Sequence, residues 1–165
     1  MTPCDDRSEL IDTLAHQWSL MPDQRFGQLV CNAVGEAADG DPTVVSDADL
    51  LVGSRHIASA YERGGRVPVP IEQIGAEASR LLRTLRTLAV RLPRQRLGLL
   101  VAGLTVAIES TRPFDDIWDA ETAAMADAAS SLLRRCDDLD RRNETAIAAA
   151  RLRKAAGHRP EPIPA

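Results

Sequence analysis

The chain has 165 residues, long enough for one domain with a real core or for two very small ones. Its 44% apolar content separates it from disordered sequences, and its 3% aromatic content leaves a core of Leu, Ile, Val and Ala, which favours helices over a β-sandwich. A net charge of −4 argues against bulk nucleic-acid binding, although residues 71–113, with 7 bases and 3 acids, keep a local basic site open.

The N-terminus "MTPCDDRSEL" has no basic start and no apolar run, so it does not read as a signal peptide. Asp6 is placed to cap a first helix, with Glu9 three residues later in a capping-box arrangement. Leu10, Ile11, Leu14 and Trp18 then form one apolar stripe at helical spacing. Pro22 fits the first turn of a second helix, where its missing N–H costs nothing, and Asp23 suits the positive helix end. Phe26, Leu29, Val30, Ala33 and Ala37 are its expected buried face; Gln28, Asn32 and Glu36 lie opposite. Cys31 falls near that stripe and reads as a small core residue.

"DGDP" at 39–42 reads as a loop, and Ser46 as the cap of a third helix with Asp47 and Asp49 in its first turn. That helix carries Leu50, Leu51, Ile57 and Tyr61 and stops at Gly64–Gly65. "GGRVPVP", 64–70, reads as a linker. A fourth helix is expected over about 71–91, with Ile74, Ala78, Leu81, Leu82, Leu85, Leu88 and Ala89 inside. Pro93 opens a fifth that lasts to about Ser110. "TRPFDD" breaks the chain; Asp115 or Asp116 caps a sixth helix that meets no Gly or Pro until Gly157. The proline-rich tail 157–165 is expected to be disordered.

The stretch "PDQRFGQLV" from Pro22 returns as "PRQRLGLLV" from Pro93, 71 positions later. At that offset residues 10–42 and 81–113 share 10 identities in 33 without a gap, where chance gives roughly two or three for this composition. The fold class expected is therefore all-α: a six-helix bundle made from a duplicated three-helix unit, with a long C-terminal helix. Its parts are 1–63 and 71–156, joined by 64–70, in one compact domain. The copies differ on one side of the second helix. Gln28, Asn32 and Glu36 in the first become Leu99, Gly103 and Ala107 in the second. Residues 97–108, "LGLLVAGLTVAI", are apolar all round, and such a helix must be covered all round. It is expected either at the centre of the fold or on the face of a homodimer. Gly27 and Gly98 occupy matching places inside helices, where Gly costs about 1 kcal/mol against Ala, so they are expected at helix crossings. Gly103 joins them as a crossing or interface candidate.

Two arginine groups are candidate anion or partner sites. Arg25 and Arg96 recur in Gln-Arg pairs at helix N-termini, where free N–H groups and a guanidinium fork suit an anion; the structural alternative is that each Arg pairs with an acid of a neighbouring helix. Arg80, Arg83, Arg86, Arg91, Arg94 and Arg96 form a stripe with no acid from Ala78 to Ile108, suited to phosphates or an acidic partner, or paired internally with Asp127, Asp137, Asp138 or Asp140. The last helix carries a heptad seam through Trp118, Thr122, Met125, Ala129, Leu132, Cys136, Leu139, Asn143, Ala146 and Ala150, with Asn143 at a position where a polar residue sets register. Its first part, 116–139, is expected to pack on the bundle and 140–156 to project or dock on a partner.

The remaining chemistry is sparse. His16, His56 and His158 are isolated, and Cys4, Cys31 and Cys136 form no CxxC pair, so no metal, cofactor or catalytic residue is assigned. No stretch approaches 18 apolar residues, so no membrane span is expected, and unpaired thiols suit a reducing cytoplasm. Arginine replaces lysine everywhere except Lys154, a bias that fits a GC-rich bacterial genome.

"HQWSLMPDQRFGQLVCNAV" followed by "DPTVVSDADLL" resembles small uncharacterised bacterial proteins with a PDxRLGQL-type helix and a DPFYxxDDELL-like segment. The resemblance covers residues 8–52, with Phe26 where Leu is usual and without the aromatics after Pro42. It implies a recurring helical module, and neither an activity nor site residues. The function expected is a non-catalytic helical interaction, scaffold or adaptor subunit that binds a protein partner, itself, or both, as a homodimer. Two alternatives stand beside it: a nucleic-acid or other polyanion binder using the arginine stripe, and a small enzyme with a pocket between the halves.

Overall fold

The structure is a computed structural model and describes residues 3–37, 44–109 and 117–157. Those residues form helices and no strand: α1 (Pro3–Leu20), α2 (Phe26–Ala37), α3 (Asp47–Arg63), α4 (Ile71–Ile74), α5 (Ala76–Arg91), α6 (Leu97–Glu109) and α7 (Ile117–Gly157). The loop at 39–42, the "TRPFDD" break, the caps at Asp115 or Asp116 and the tail beyond Gly157 lie outside the described residues.

The apolar stripes of the sequence are the core. Leu10, Ile11, Leu14 and Trp18 of α1, Phe26, Leu29, Val30 and Ala33 of α2, and Leu81, Leu85 and Leu88 of α5 are buried in one continuous cluster with Met125 and Ala129 of α7. α3 packs on both α1 and α2, as α7 packs on both α5 and α6; across the middle, α1 meets α5 and α2 meets α6. Among the described residues, Gln17 and Ser54 are polar and lie fully inside. Ser54 Oγ donates to Gln17 Oε1 at 2.6 Å, and Gln17 Nε2 donates to the Leu29 carbonyl at 3.4 Å. Burying these groups is tolerable because they satisfy one another, and the chain of bonds fixes the register of α1, α2 and α3 together.

Ends follow local chemistry. Ser46 Oγ accepts the Asp49 N–H at 3.1 Å and caps α3, as its sequence predicts. α3 ends in a Schellman arrangement: Gly65, with φ +81°, donates to the Glu62 carbonyl and Arg66 to the Tyr61 carbonyl. The segment after it is tied down rather than loose, since the Val69 N–H donates to the Ser19 carbonyl at 2.9 Å.

Several expectations are corrected. Asp6 is not a cap, because α1 already runs from Pro3 and places Asp6 inside the helix. The helix expected over 71–91 is divided at Gly75, whose φ of +150° is closed to L side chains, so α4 is a single turn and α5 starts at Ala76. Pro22 and Pro93 lie in turns and not in helices; α2 and α6 begin four residues later. Cys31 is exposed, because one step past Val30 swings a side chain about 100° off the buried face.

The two turns are built alike. The Gln24 N–H donates to the Met21 carbonyl and the Gln95 N–H to the Leu92 carbonyl, both at 3.0 Å; Leu29 to Arg25 and Leu100 to Arg96 close the first helical turns, again at 3.0 Å. α1 ends at Leu20 and α5 at Arg91, while α2 begins at Phe26 and α6 at Leu97, each pair 71 residues apart.

Candidate interaction surface

α6 is not enclosed. Leu97, Leu100, Val101 and Leu104 face the core, but Leu99, Gly103, Val106 and Ala107 are exposed, Val106 by 61%. A central place for the helix within its own chain is therefore ruled out. The reason lies in the geometry of the second helix in each half. Gln28 and Glu36 of α2 are exposed and Asn32 half-buried; Leu99, Gly103 and Ala107 take the same outward positions 71 residues on. On α2 that side is a polar chain in which Gln28 Nε2 donates to Asn32 Oδ1 at 2.9 Å and Asn32 Nδ2 to Gln24 Oε1 at 3.1 Å. On α6 the same side is apolar.

This side of α6 faces α7 across a groove of about 730 Å³. Leu99, Gly103 and Ala107 form one wall; Leu132, Cys136 and Leu139 form the other. Asp127 and Arg135 stand on the α7 side. Beyond its chain neighbours and the adjoining backbone of α6, no atom comes within 4 Å of where a Cβ on Gly103 would lie, so this glycine marks open space and not a crossing within the chain. Gly27 is different. A Cβ there would meet Glu121 Oε1 at 3.1 Å, Thr105 Oγ1 at 3.6 Å and Met125 Cε at 3.8 Å, which places it where α2 crosses α6 and α7. Gly98 is buried.

α7 runs for 41 residues, about 62 Å. Its first part is packed: Glu121, Ala124, Met125, Ala126 and Ala129 are buried and Leu132 partly so. From Asp138 onward the side chains described are exposed apart from Ala149, including Leu139 at 58%, Asn143 and Ile147 at 53%. The groove wall thus continues, residue by residue along the seam, onto a projecting arm.

The arginine candidates are largely occupied. Arg80 pairs with Glu77 and with Asp127 at 2.7 Å, Arg86 with Asp12 at 2.6 Å, and Arg91 with Asp137 at 2.8 Å and with Asp140. The hydrogen bonds to Asp127 and Glu77 hold the Arg80 guanidinium above its ordinary value. Arg83 and Arg94 are exposed and pair with no carboxylate among the described residues. Arg25 and Arg96 each reach a distant part of the chain: Arg25 Nε lies 3.1 Å from Glu121 Oε2 in the first turns of α7, and Arg96 Nη1 donates to the Val44 carbonyl just before α3 at 2.7 Å. The first contact ties the turn before α2 to α7 and the second ties the turn before α6 to the segment before α3, and Gly27 leaves room for the Glu121 carboxylate.

Sequence reasoning missed a second joint. Asp47 Oδ2 accepts from Arg7 Nε at 2.9 Å, and Asp47 Oδ1 accepts from the Leu97 N–H at the start of α6 at 2.7 Å. Arg7 Nη1 goes on to the Leu92 carbonyl at 2.9 Å and the Ala89 carbonyl at 3.3 Å, at the end of α5. Only Asp47's place in the first turn of α3 was readable; its partners are 40 and 50 residues away.

A polar depression between α1 and α3 contains Asp12 and Thr13, with His16 Nε2 at 2.7 Å from Glu62 Oε1 and Arg55 paired with Glu9. In neither depression do Arg25, Arg96 and a histidine meet. Among the described residues no group of three His, Cys, Asp or Glu could hold a metal ion, and no helix is long and apolar enough to cross a membrane. No family profile, curated protein or solved structure matches the chain.

Proposed function

We propose that this protein is a non-catalytic helical interaction subunit, descended from a duplicated three-helix unit, that self-associates and serves as a scaffold in a bacterial cytoplasm. One observation carries the reading. The outward side of the second helix is polar on α2 and apolar on α6, at positions 71 residues apart. Packing within the chain gives Leu99, Gly103 and Ala107 no reason to be apolar, since their counterparts Gln28, Asn32 and Glu36 occupy the same outward positions. An apolar face bordered by Asp127 and Arg135 is the pattern of a surface used for docking. The candidate arginines support it indirectly: Arg25, Arg80, Arg86, Arg91 and Arg96 are spent on holding helices together, which leaves Arg83 and Arg94 of the stripe as a weak base for polyanion binding.

A tagged chain recovered from its native cells tests this, with Gly103→Glu as control. That substitution enters open space and leaves the bundle's packing intact, while placing a charge in the groove. Quantitative mass spectrometry is expected to return one or a few proteins, untagged copies of this chain among them, at near-stoichiometric amounts with the native sequence alone. Equal recovery with both sequences contradicts the reading.

A further inference from the structure

We infer that the groove between α6 and α7 is filled by the α7 arm, residues 140–157, of a second copy, and that the two copies exchange arms around an axis near Arg141. The inference rests on the reading of α6–α7 as a docking face and names what docks there. Three observations lead to it.

The first is the symmetry of the seam. Counted outward from Arg141, Leu139 and Asn143 are two residues away, Cys136 and Ala146 five, Leu132 and Ala150 nine. Two antiparallel α7 helices crossing at Arg141 therefore set Leu139 against Asn143, Cys136 against Ala146, and Leu132 against Ala150 of the second copy. Leu132, Cys136 and Leu139 line the groove, and the arm sets the smaller Ala150 and Ala146 against the first two, so a larger side chain meets an alanine at both steps away from the axis. Asn143 falls beside the axis, where one polar side chain fixes the register. Gly103, with nothing above it, lets a helix approach α6 closely.

The second is charge. Residues 140–157 carry 5 bases and 2 acids, net +3; residues 1–139 carry 14 bases and 21 acids, net −7. The arm points away from its own body, and in the exchanged pair the basic arm joins a chain of net negative charge, with the near-neutral residues 71–139 (9 bases and 10 acids, net −1) beneath it.

The third is size. An eighteen-residue arm is about 27 Å long, and two such arms, each about 10 Å across and docked reciprocally, remove on the order of 1,100 Å² of surface, which clears the roughly 1,000 Å² a biological interface needs. An arm left in water keeps Leu139, Ile147 and Leu152 exposed.

Cysteine cross-linking reads the register. In a chain with Cys4→Ser and Cys31→Ser, native Cys136 is kept and Ala146→Cys is added. Within one helix these two positions are about 15 Å apart, too far to bridge, so a disulfide between them joins two chains. Mild oxidation at micromolar concentration is expected to convert most of the protein to a covalent dimer. Light scattering of the unmodified chain is expected to give twice the chain mass. Gly103→Glu in the groove, and independently Ala150→Glu on the arm, are each expected to raise the dissociation constant about tenfold or more with helix content unchanged. A monomeric mass for the native chain at high concentration, with no cross-link, overturns the exchange. Equal cross-linking after Cys136→Ser also overturns it, because position 146 would then be meeting itself in a parallel pair. A monomeric chain that still loses its co-purifying proteins on Gly103→Glu sinks the exchange and leaves the docking face standing.

Discussion

Trp18→Ala is expected to lower stability by about 3–5 kcal/mol, the usual cost of emptying a large aromatic site in a core. The indole is 1% exposed, its ring centroid lies 5.1 Å from that of Phe26, and its Nε1 donates to the Gln24 carbonyl at 2.9 Å. It therefore packs the end of α1 and also holds the turn that launches α2. Single domains have about 5–15 kcal/mol in total, so the variant loses roughly a fifth or more of its reserve. Trp18→Phe separates the contributions: it keeps most of the apolar area, drops the hydrogen bond, and is expected to cost about 1 kcal/mol for that bond plus a modest repacking loss. Urea unfolding followed by circular dichroism measures both. A loss under about 1 kcal/mol for the alanine variant contradicts the place given to this side chain.

Asp47→Ala is expected to cost about 2–4 kcal/mol, far more than a surface carboxylate, since one substitution strands two largely buried partners. The Leu97 N–H at the start of α6 loses its acceptor, and Arg7, whose side chain is 13% exposed, is left with backbone carbonyls alone. Asp47→Asn keeps an oxygen for Leu97 and is expected to recover more than half of the loss. Arg7→Ala is expected to cost a similar amount, and the double variant much less than the sum, because both residues belong to one joint. Additive losses contradict a shared joint.

These two sites show what the sequence made legible. Trp18 stood out at once: it closes a stripe with Leu10, Ile11 and Leu14 that helical spacing alone reveals, and all four are buried. Ser46 and the Gly64–Gly65 stop were readable for the same reason, since caps are written within four residues of the bonds they make. Asp47 was visible only as a charge in the first turn of a helix. Its partners Arg7 and Leu97 are set by how two halves meet, and no local pattern encodes that. The buried Gln17–Ser54 bond, 37 residues apart, was hidden in the same way. The break at Gly75 was missed because an apolar helical pattern runs on both sides of it, and the deciding feature is a backbone angle.

For the candidate surface the division is sharper. The apolar run of 97–108 was plain, and so was the polar-to-apolar exchange at 28/99, 32/103 and 36/107. Which way the exchanged side faces required coordinates. A helix apolar all round is equally consistent with a centre and with an interface, and only the exposure of Leu99, Gly103 and Val106 separates them. The arginines ran the other way. As a sequence they form a basic stripe; as a structure Arg80, Arg86 and Arg91 are distributed among Asp127, Asp12 and Asp137. The pairing of Arg80 and Arg91 with α7 was among the readings the sequence offered, whereas the pairing of Arg86 with α1 was not.

Backbone amide exchange across residues 140–157 of the native chain tests most directly whether the apolar face is covered. An eighteen-residue helix without tertiary support opens and closes rapidly, whereas one packed against a second surface is protected to the stability of that contact. The account predicts slow exchange there at tens of micromolar chain, comparable with residues 121–136, and fast exchange on dilution or after Gly103→Glu. Fast exchange at every concentration, with 121–136 still protected, would contradict it.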